Sequence, residues 1–357
     1  MIAALVLNEE WRAEQVAAAF DGAHYHPQPL SPEERKLARA LERHTLAHPK
    51  QPAWVRYEVP EWLFPALEEA FGARLEAELT ALEREAPVDL RVNSLKATRE
   101  EAMKALAKED IAARPTPYSP LGLRLAARAA IVASRCFREG LIEMQDEGSQ
   151  LVALLTGAKG SARVCDFCAG AGGKTLALAA AMENRGRLLA LDVREGRLRS
   201  AALRLKRAGL SNVTPHLLTS HRDPWVKRHK ASFERVLVDA PCTGCGTWRR
   251  NPDAKWRLRP QDLAELATLQ AEILASASRL VRPGGRLVYA TCSFLPAENE
   301  AQVRRFLAAA PDFRLLPIAQ VWAECVGGRA PCETPTLQLT PASHGTDGFF
   351  AAVLERG

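Results

Sequence analysis

The chain has 357 residues, of which 47% are hydrophobic and 25% are charged, and it carries a formal net charge of +6 at pH 7. These values are those of an ordinary soluble globular protein with room for two domains and a sizeable core. No run of 18 apolar residues is present, which excludes a membrane span, and the N-terminus has no basic leader of a secretory signal. Eight cysteines without an export signal indicate free thiols in a reducing cytosol, so we expect a cytoplasmic monomer that does not bind membranes.

Residues 1–85 are predicted to form a helical N-terminal segment. Ser31, Pro32 and the two glutamates after them have the cap, first-turn proline and acidic first turn of a helix start. Apolar residues recur at helical spacing between Glu61 and Phe71. The segment is a possible RNA-binding element.

Residues 86–138 are predicted to form a small α+β unit of the RRM type. Val88–Val92 and Leu121–Leu125 alternate like strands, and Arg99–Lys108 reads as a helix. The unit carries several arginines and lysines, which favour either a solvated basic face or a nucleic-acid platform.

Residues 139–357 are predicted to form a Rossmann-like domain, because strands and helices alternate there and imply a parallel sheet covered on both faces. The expected strands are 162–167, 187–193, 213–218, 235–240, 285–291 and 348–355. The expected helices lie near 173–183, 195–208, 260–281 and 297–309.

A glycine-rich turn follows the first of these strands, in the run Cys168-Ala-Gly-Ala-Gly-Gly-Lys174. The run nearly matches the phosphate loop of ATPases, but Cys168 stands where that loop needs glycine. The alternative is a dinucleotide or S-adenosylmethionine pocket, which needs an acidic residue at the end of the next strand for the ribose hydroxyls. Asp192 supplies that residue, so the sequence favours the second alternative.

Two further strands run into cysteine, one ending Asp239-Ala-Pro-Cys242 and the other Tyr289-Ala-Thr-Cys292. Ligands of open α/β sheets bind beyond the carboxyl ends of the strands, so both cysteines are expected in the cleft that holds the glycine turn. A zinc site built from Cys165, Cys168 and the Cys242–Cys245 pair is the competing interpretation. We expect no metal, because the pairs are too widely spaced and the metal would crowd the cofactor.

These motifs resemble the Nop/Sun family of RNA cytosine-C5 methyltransferases, in particular its bacterial 16S ribosomal RNA branch. The resemblance rests on Asp239–Trp256 with its Pro-Cys motif, on the Thr-Cys-Ser motif at 291–293, and on the Asp-Phe-Cys-Ala-Gly-Ala-Gly-Gly-Lys run at 166–174. It covers residues 88–357. The first 85 residues match less clearly and are short for the helical RNA-binding domain found at the front of many bacterial members.

The resemblance implies S-adenosylmethionine as cofactor and RNA as partner, most simply 16S rRNA or the small ribosomal subunit. It implies Cys292 as the nucleophile that adds to carbon 6 of cytosine, Cys242 as the second thiol that helps to release the product, and Asp239 and Lys174 as supporting catalytic groups. In DNA cytosine methyltransferases the Pro-Cys cysteine is the nucleophile, so Cys242 is the rival for that role. The cofactor contacts implied are Cys168, Ala169, Gly170, Ala171, Gly172, Gly173, Lys174, Asp192, Thr219 and Asp239.

The chain departs from the family pattern at two places. The family turn usually has proline at the position of Ala171, and an aspartate that contacts the adenine is expected at the position of Thr219, for which Asp223 is a substitute.

Four basic residues close to the Pro-Cys turn are expected to hold RNA phosphates: Arg249, Arg250, Lys255 and Arg257. A non-catalytic RNA-binding or ribosome-assembly factor that retains the fold is the alternative function.

Overall fold

The computed structural model of the chain describes residues 1–45, 48 and 50–357. The chain divides into two compact units, Met1–Glu61 and Trp62–Gly357. Within those described residues, no helix has both the length and the apolar character needed to span a lipid bilayer.

The first unit is helical, as the sequence predicts, and packs around Val6, Val16 and Ala38. The predicted helix start at Ser31 is confirmed, since the Ser31 hydroxyl accepts a hydrogen bond from the Glu34 N–H at 3.2 Å while the Glu34 carboxylate accepts from the Ser31 N–H at 2.8 Å. The helices of this unit are α1 (Ile2–Leu7), α2 (Ala13–Ala19), α3 (Pro32–Leu41) and α4 (Ala53–Arg56).

The second unit begins with two helices and an antiparallel sheet of strand order β2-β3-β1-β4. The sheet buries Leu90, Leu123 and Ile142 against Leu106 of its helix. Strand β4 lies beyond residue 138, where the sequence analysis ended this subdomain. The elements are α5 (Phe64–Phe71), α6 (Leu75–Glu83), β1 (Asp89–Val92), α7 (Arg99–Ala107), β2 (Ala113–Pro115), β3 (Gly122–Leu125), α8 (Arg135–Arg138) and β4 (Ile142–Met144).

The remainder of the second unit is the predicted α/β domain. Its elements are α9 (Glu147–Leu155), β5 (Arg163–Asp166), α10 (Gly173–Ala181), β6 (Arg187–Asp192), α11 (Glu195–Ala208), β7 (Val213–Leu217), α12 (Pro224–Arg228), β8 (Phe233–Asp239), α13 (Ala254–Arg257), α14 (Pro260–Ser278), β9 (Val281–Thr291), α15 (Glu300–Ala309), β10 (Phe313–Leu316), α16 (Ile318–Cys325), β11 (Leu337–Leu339), α17 (Pro341–His344) and β12 (Phe349–Arg356). The six predicted strands are all present. Strands β10 and β11 were not predicted, because each is only three or four residues long.

The large sheet has the order β10-β12-β9-β8-β5-β6-β7, with β11 paired to β12. Strands β5 to β9 pair in parallel, whereas β12 runs antiparallel to β9. Successive residues of β9 enter different core clusters, Val288 on one face and Tyr289 on the other, so the sheet is buried on both sides. Strand β5 lies between β6 on one side and β8 on the other, so the strand order reverses direction at β5. Ligands of open α/β sheets bind at such a switch point.

Helices α5 and α6 belong to the second unit, although the sequence analysis grouped them with residues 1–85. The physical reason is Glu78 of α6, whose buried carboxylate accepts hydrogen bonds from Thr340 Oγ1 at 2.6 Å, Ala342 N at 2.9 Å and Ser343 Oγ at 2.7 Å. These donors lie at the start of α17, so Glu78 attaches α6 to the segment that leads into β12.

Replacing Glu78 with alanine is expected to lower the free energy of unfolding by about 1–3 kcal/mol, because one buried and two partly buried donors lose their acceptor. Urea denaturation of the purified chain measures this change. Glu76→Ala is the matched control, since Glu76 lies exposed on the same helix. Equal stability of the two variants would contradict the structural role of Glu78.

Candidate active site

A cleft of about 750 Å³ lies at the carboxyl ends of β5, β6, β8 and β9. It is lined by every predicted catalytic and cofactor residue except Gly172, which faces Ala201 of α11. The predicted residues that line it are Cys168, Ala169, Gly170, Ala171, Gly173, Lys174, Asp192, Thr219, Asp239, Cys242 and Cys292. Parallel pairing of these strands brings their ends together, which is why residues far apart in sequence meet here.

The glycine turn after β5 depends on two residues with left-handed backbone conformation, Gly170 (φ +55°) and Gly172 (φ +84°). A Cβ on Gly172 would lie 2.9 Å from Ala201 Cβ, so only glycine lets α10 pack this closely on α11. The N–H of Gly170 donates to Asp192 Oδ2 at 2.8 Å, and the Arg194 N–H donates to Asp192 Oδ1 at 2.8 Å. Asp192 is therefore fixed against the turn, with lone pairs on both oxygens still available.

Two arginines hold the carbonyl groups of the same turn. Arg91 of β1 donates to the Gly173 carbonyl at 2.9 Å, and Arg204 of α11 donates to the Ala171 carbonyl at 2.6 Å. Arg204 also pairs with Glu143 of β4 at 3.3 Å. The antiparallel subdomain thus contacts the turn directly, and these contacts restrain the backbone at Ala171.

Thr219 stands at the end of β7, where the family pattern has an aspartate. Its N–H and hydroxyl both donate to Asp223 Oδ2, at 2.9 and 2.8 Å. Backbone and hydroxyl hydrogen bonds to Thr219 and Trp225 lower the pKa of Asp223 to about 2. Asp223 therefore orients Thr219, and the Thr219 oxygen remains free to accept a hydrogen bond in the cleft.

The two predicted cysteines meet. Cys242 Sγ and Cys292 Sγ lie 3.4 Å apart, within hydrogen-bonding distance for sulfur. The hydrogen bond to Cys292, followed by burial, raises the pKa of Cys242 well above its usual value. Cys242 is therefore held as a neutral thiol that can donate to the sulfur of Cys292.

An ion pair lies beside the cysteines. Lys174 Nζ contacts Asp239 Oδ2 at 2.7 Å, with the ammonium group buried and the carboxylate partly exposed to the cleft. Burial by itself would lower the pKa of Lys174, but attraction and hydrogen bonding to Asp239 outweigh it, so the pKa is raised. The ammonium group therefore stays charged in the cleft.

A buried glutamate that the sequence analysis did not identify joins the two cysteine loops. Glu298 accepts hydrogen bonds from Thr243 N at 2.9 Å and from the Ser293 hydroxyl. Thr243 and Ser293 directly follow Cys242 and Cys292. In the sequence Glu298 lies two residues before α15, and acidic residues at a helix start are ordinarily solvated, so the local pattern does not indicate that it is buried.

The four basic residues expected to bind phosphate are not equivalent. The Arg249 side chain is only 5% exposed and donates to Asp347 Oδ1 at 2.6 Å, and Arg250 pairs with Asp347 and, at 3.0 Å, with Asp146. Lys255 is also buried. Burial leaves Arg249 and Lys255 little surface for a phosphate, and neighbours that are distant in the sequence bury Arg249. Arg257 is 78% exposed.

The cysteines of the zinc interpretation have other surroundings. Cys165 is buried inside β5, and Cys245 contacts the Ser293 hydroxyl at 3.2 Å. Within residues 1–45, 48 and 50–357, no group of three or more His, Cys, Asp or Glu side chains is arranged to hold a metal ion.

The cleft fits S-adenosylmethionine in the chemistry of its lining groups. Asp192 offers acceptors for ribose hydroxyls, and Thr219 offers one for an adenine amino group. Leu218 and Ile273 supply apolar walls for a flat ring, and the turn precedes the N-terminus of α10, a position that favours a carboxylate.

Replacing Gly172 with alanine is expected to lower the free energy of unfolding by about 1–3 kcal/mol and to weaken binding of S-adenosylhomocysteine, because the new methyl group crowds Ala201 in a left-handed conformation. Urea denaturation and titration calorimetry measure the two effects. Gly196→Ala is the control: Gly196 lies in α11 with no atom near its Cβ position, and alanine there should stabilise the helix by about 0.5–1 kcal/mol. Wild-type stability and affinity in Gly172→Ala would contradict the role of this turn.

Comparisons with known proteins agree with this geometry. Residues 153–355 match the model of the 16S rRNA methyltransferase RsmB/F family, and residues 59–132 match its ferredoxin-like domain. One relative is a probable ribosomal RNA small subunit methyltransferase B of Synechocystis, which is 35% identical over 90% of this chain and 72% of the relative. Another is a ribosomal RNA small subunit methyltransferase B of Klebsiella pneumoniae, which is 36% identical over 84% of this chain and 66% of the relative. The crystal structure of a methyltransferase homologue from Pyrococcus horikoshii superposes with a TM-score of 0.73 at 29% identity, covering 85% of this chain and 97% of that one.

The match covers more than half of the chain, and the parallel sheet, the ferredoxin-like subdomain and the cleft all agree with it. The chain belongs to the RsmB/F family of S-adenosylmethionine-dependent 16S rRNA methyltransferases.

Proposed function

We propose that this chain transfers a methyl group from S-adenosylmethionine to carbon 5 of a cytosine in RNA, with 16S rRNA as the substrate. The observation that carries the proposal is the 3.4 Å approach of Cys242 Sγ and Cys292 Sγ in the cleft formed by the glycine turn. Two thiols at this distance suit a reaction in which one forms a covalent bond to the base and the other handles a proton.

Carbon 5 of cytosine is a weak nucleophile, so the reaction needs covalent activation. We propose that the Cys292 thiolate adds to carbon 6, which moves the electrons of the carbon 5–carbon 6 double bond onto carbon 5 and the ring. The cofactor, when bound, supplies an electrophilic methyl group. Afterwards the proton on carbon 5 is removed and the bond between Cys292 and carbon 6 breaks, which restores the double bond and the free thiolate.

The role of Cys242 follows from its hydrogen bond. Before the reaction its S–H is placed to donate to the sulfur of Cys292, which lies 3.4 Å away. When the Cys292 sulfur is bonded to carbon 6, it no longer raises the pKa of Cys242. Cys242 can then release its proton to the solvent, and its thiolate can accept the proton from carbon 5.

Asp239 and Lys174 suit the pyrimidine edge. Lys174 occupies Asp239 Oδ2, which leaves Oδ1 able to accept a hydrogen bond from the exocyclic amino group of cytosine. The nearby ammonium group of Lys174 stabilises negative charge that develops on the ring after thiolate addition. Uracil has no amino group at this position, so the pair favours cytosine.

The assignment of the two cysteines is tested by trapping the covalent intermediate. In Cys242→Ala, Cys292 can still bond to the base but release is slow, so a protein–RNA species that resists heat and detergent is expected after mixing with S-adenosylmethionine and rRNA that lacks 5-methylcytosine. A denaturing gel detects this species, and wild type and Cys292→Ala should not accumulate it.

Accumulation in Cys292→Ala instead would reverse the two roles. Absence of both an adduct and methyl transfer in the wild type, under conditions where calorimetry shows cofactor binding and RNA is bound, would favour a non-catalytic RNA-binding factor.

The exposure of Arg257 supports it as the phosphate contact among the four basic residues. Arg257 is exposed and forms an ion pair with Asp253, which directly precedes α13. Ion pairs between exposed side chains contribute little to stability, so a phosphate group can replace Asp253 as the partner of Arg257. Arg257→Ala should weaken binding to all RNA sequences alike and lower the salt slope by roughly 0.7–1. Filter binding over a salt series measures that slope.

Arg249→Ala is the contrasting variant. This change removes a cation from the buried carboxylates of Asp146 and Asp347, so it should lower the free energy of unfolding by about 3–5 kcal/mol. The salt dependence of RNA binding should stay unchanged. An unchanged slope in Arg257→Ala would remove Arg257 from the RNA interface.

A further inference from the structure

The buried carboxylate of Glu298 is the strongest feature that the proposed reaction leaves unexplained. Its side chain has no solvent exposure, and four donors converge on its two oxygens. Thr243 N and Gln270 Nε2 each donate to Oε1 at 2.9 Å, whereas Thr243 Oγ1, at 2.6 Å, and the Ser293 hydroxyl donate to Oε2. All four donors are neutral groups. A carboxylate is costly to bury in this way, so its presence calls for a reason.

The position of these donors connects Glu298 to the two thiols. Thr243 follows Cys242 in the loop after β8, and Ser293 follows Cys292 in the loop after β9. A further bond, from the Gly246 N–H to the Cys292 carbonyl at 3.0 Å, joins the same loops. Gln270 of α14 also donates to the Pro241 carbonyl at 2.9 Å, so a third element is tied to the same carboxylate.

We propose that Glu298 is a positioning residue that holds the loops carrying Cys242 and Cys292 at reacting distance and so controls the reactivity of Cys242. This role rests on the proposed function. Glu298 touches neither the cleft nor the sulfur atoms, and it acts through Thr243 and Ser293.

The negative charge of Glu298 also acts on Cys242. The pKa of Cys242 is raised by the hydrogen bond to Cys292, by burial, and also by the negative charges of Cys292 and Glu298. The cleft that holds Cys242 is also lined by charged or titratable groups of other elements, and Tyr289 of β9 interacts with Cys242 from the sheet. The cleft groups are Cys168, Lys174, Asp192, Arg194, Arg197, His221 and Asp239. Glu298 differs from these groups because it is hydrogen-bonded to both cysteine loops.

The test measures the reactivity of Cys242 directly, without RNA. Purified full-length protein is treated with iodoacetamide over a pH series, and alkylation of each cysteine is followed by peptide mass spectrometry. In Glu298→Gln the pH midpoint of Cys242 alkylation should fall by about one unit, because a negative charge is lost. Glu298→Asp keeps the charge and should remain near wild type.

Two further variants separate charge from loosening of the loop. Thr243→Val keeps the carboxylate and removes one of its donors, so the Cys242 midpoint should stay or rise, opposite in direction to Glu298→Gln. Glu300→Gln, two residues away and bonded to Gln338 outside the cysteine loops, should leave the midpoint unchanged. A fall of the midpoint in both Glu298→Gln and Thr243→Val, or in neither, would overturn the proposal.

Methyl-transfer kinetics provide the second measurement. Glu298→Gln should reduce kcat by about 10- to 100-fold while KM for RNA changes little, because misplaced reacting groups slow the chemical step without altering RNA contacts. Glu298→Asp should recover part of the loss. An unchanged kcat in Glu298→Gln would also overturn the positioning role. If the wild type transfers no methyl group, the proposed function fails, and the alkylation midpoints still decide whether Glu298 controls Cys242.

Discussion

Parallel strand pairing is the constraint on which the site depends. Strands β5, β6, β8 and β9 lie side by side in parallel register, so the segments that follow them leave the sheet at one edge. The glycine turn, Asp192, the Pro-Cys loop and Cys292 are each the continuation of one such strand. A one-residue slip between β8 and β9 would reverse the inward and outward faces along the strand and separate the two thiols. The buried core on both faces of the sheet prevents that slip.

The ferredoxin-like subdomain is physically part of this site. Arg91 of β1 reaches the Gly173 carbonyl, and Glu143 of β4 pairs with Arg204, which holds the Ala171 carbonyl. Arg91 is buried, and this burial lowers its pKa to about 10, which still leaves the guanidinium charged at neutral pH. The conformation of the cofactor turn therefore depends on β1 and β4, two strands that precede it in the chain. An RNA that binds the subdomain would act on the same turn through these contacts.

A second connection runs through a cluster of ion pairs made by the buried side chains of Asp146, Asp347 and Arg249 and by the partly exposed Arg250. It joins the start of α9 and the residue before β12 to the segment that follows the Pro-Cys loop. Burial, and then repulsion from Asp347, raise the pKa of Asp146 to about 6. Because this pKa is raised above the unfolded value of a carboxyl group, the stabilisation from proton binding is complete below about pH 4 and is lost as the pH rises through 6. Arg250, which pairs with Asp146 at 3.0 Å, acts in the opposite direction and lowers the pKa of Asp146.

The sequence by itself determined the succession of strands and helices, the glycine turn and the three strand ends that carry Asp192, Cys242 and Cys292. Each of these features is local, since it depends on hydrophobic period, on glycine conformation or on a short motif. Because parallel strands end at the same edge of a sheet, the sequence alone predicted that these three residues lie together. The position of Thr219 was found in the same way, but its hydrogen bonds to Asp223 were known only from the fold.

Only the tertiary structure decided which charged groups are buried. Arg249 and Glu298 have the sequence surroundings of exposed residues, yet one is enclosed by carboxylates and the other by four neutral donors. Their partners lie between 5 and 103 residues away, and most belong to other elements. Local periodicity reports whether a residue lies on the inner face of its own helix or strand, and it contains no information about which distant side chain meets it. Long-range packing supplies that information, and in this protein it sets the environment of both cysteines.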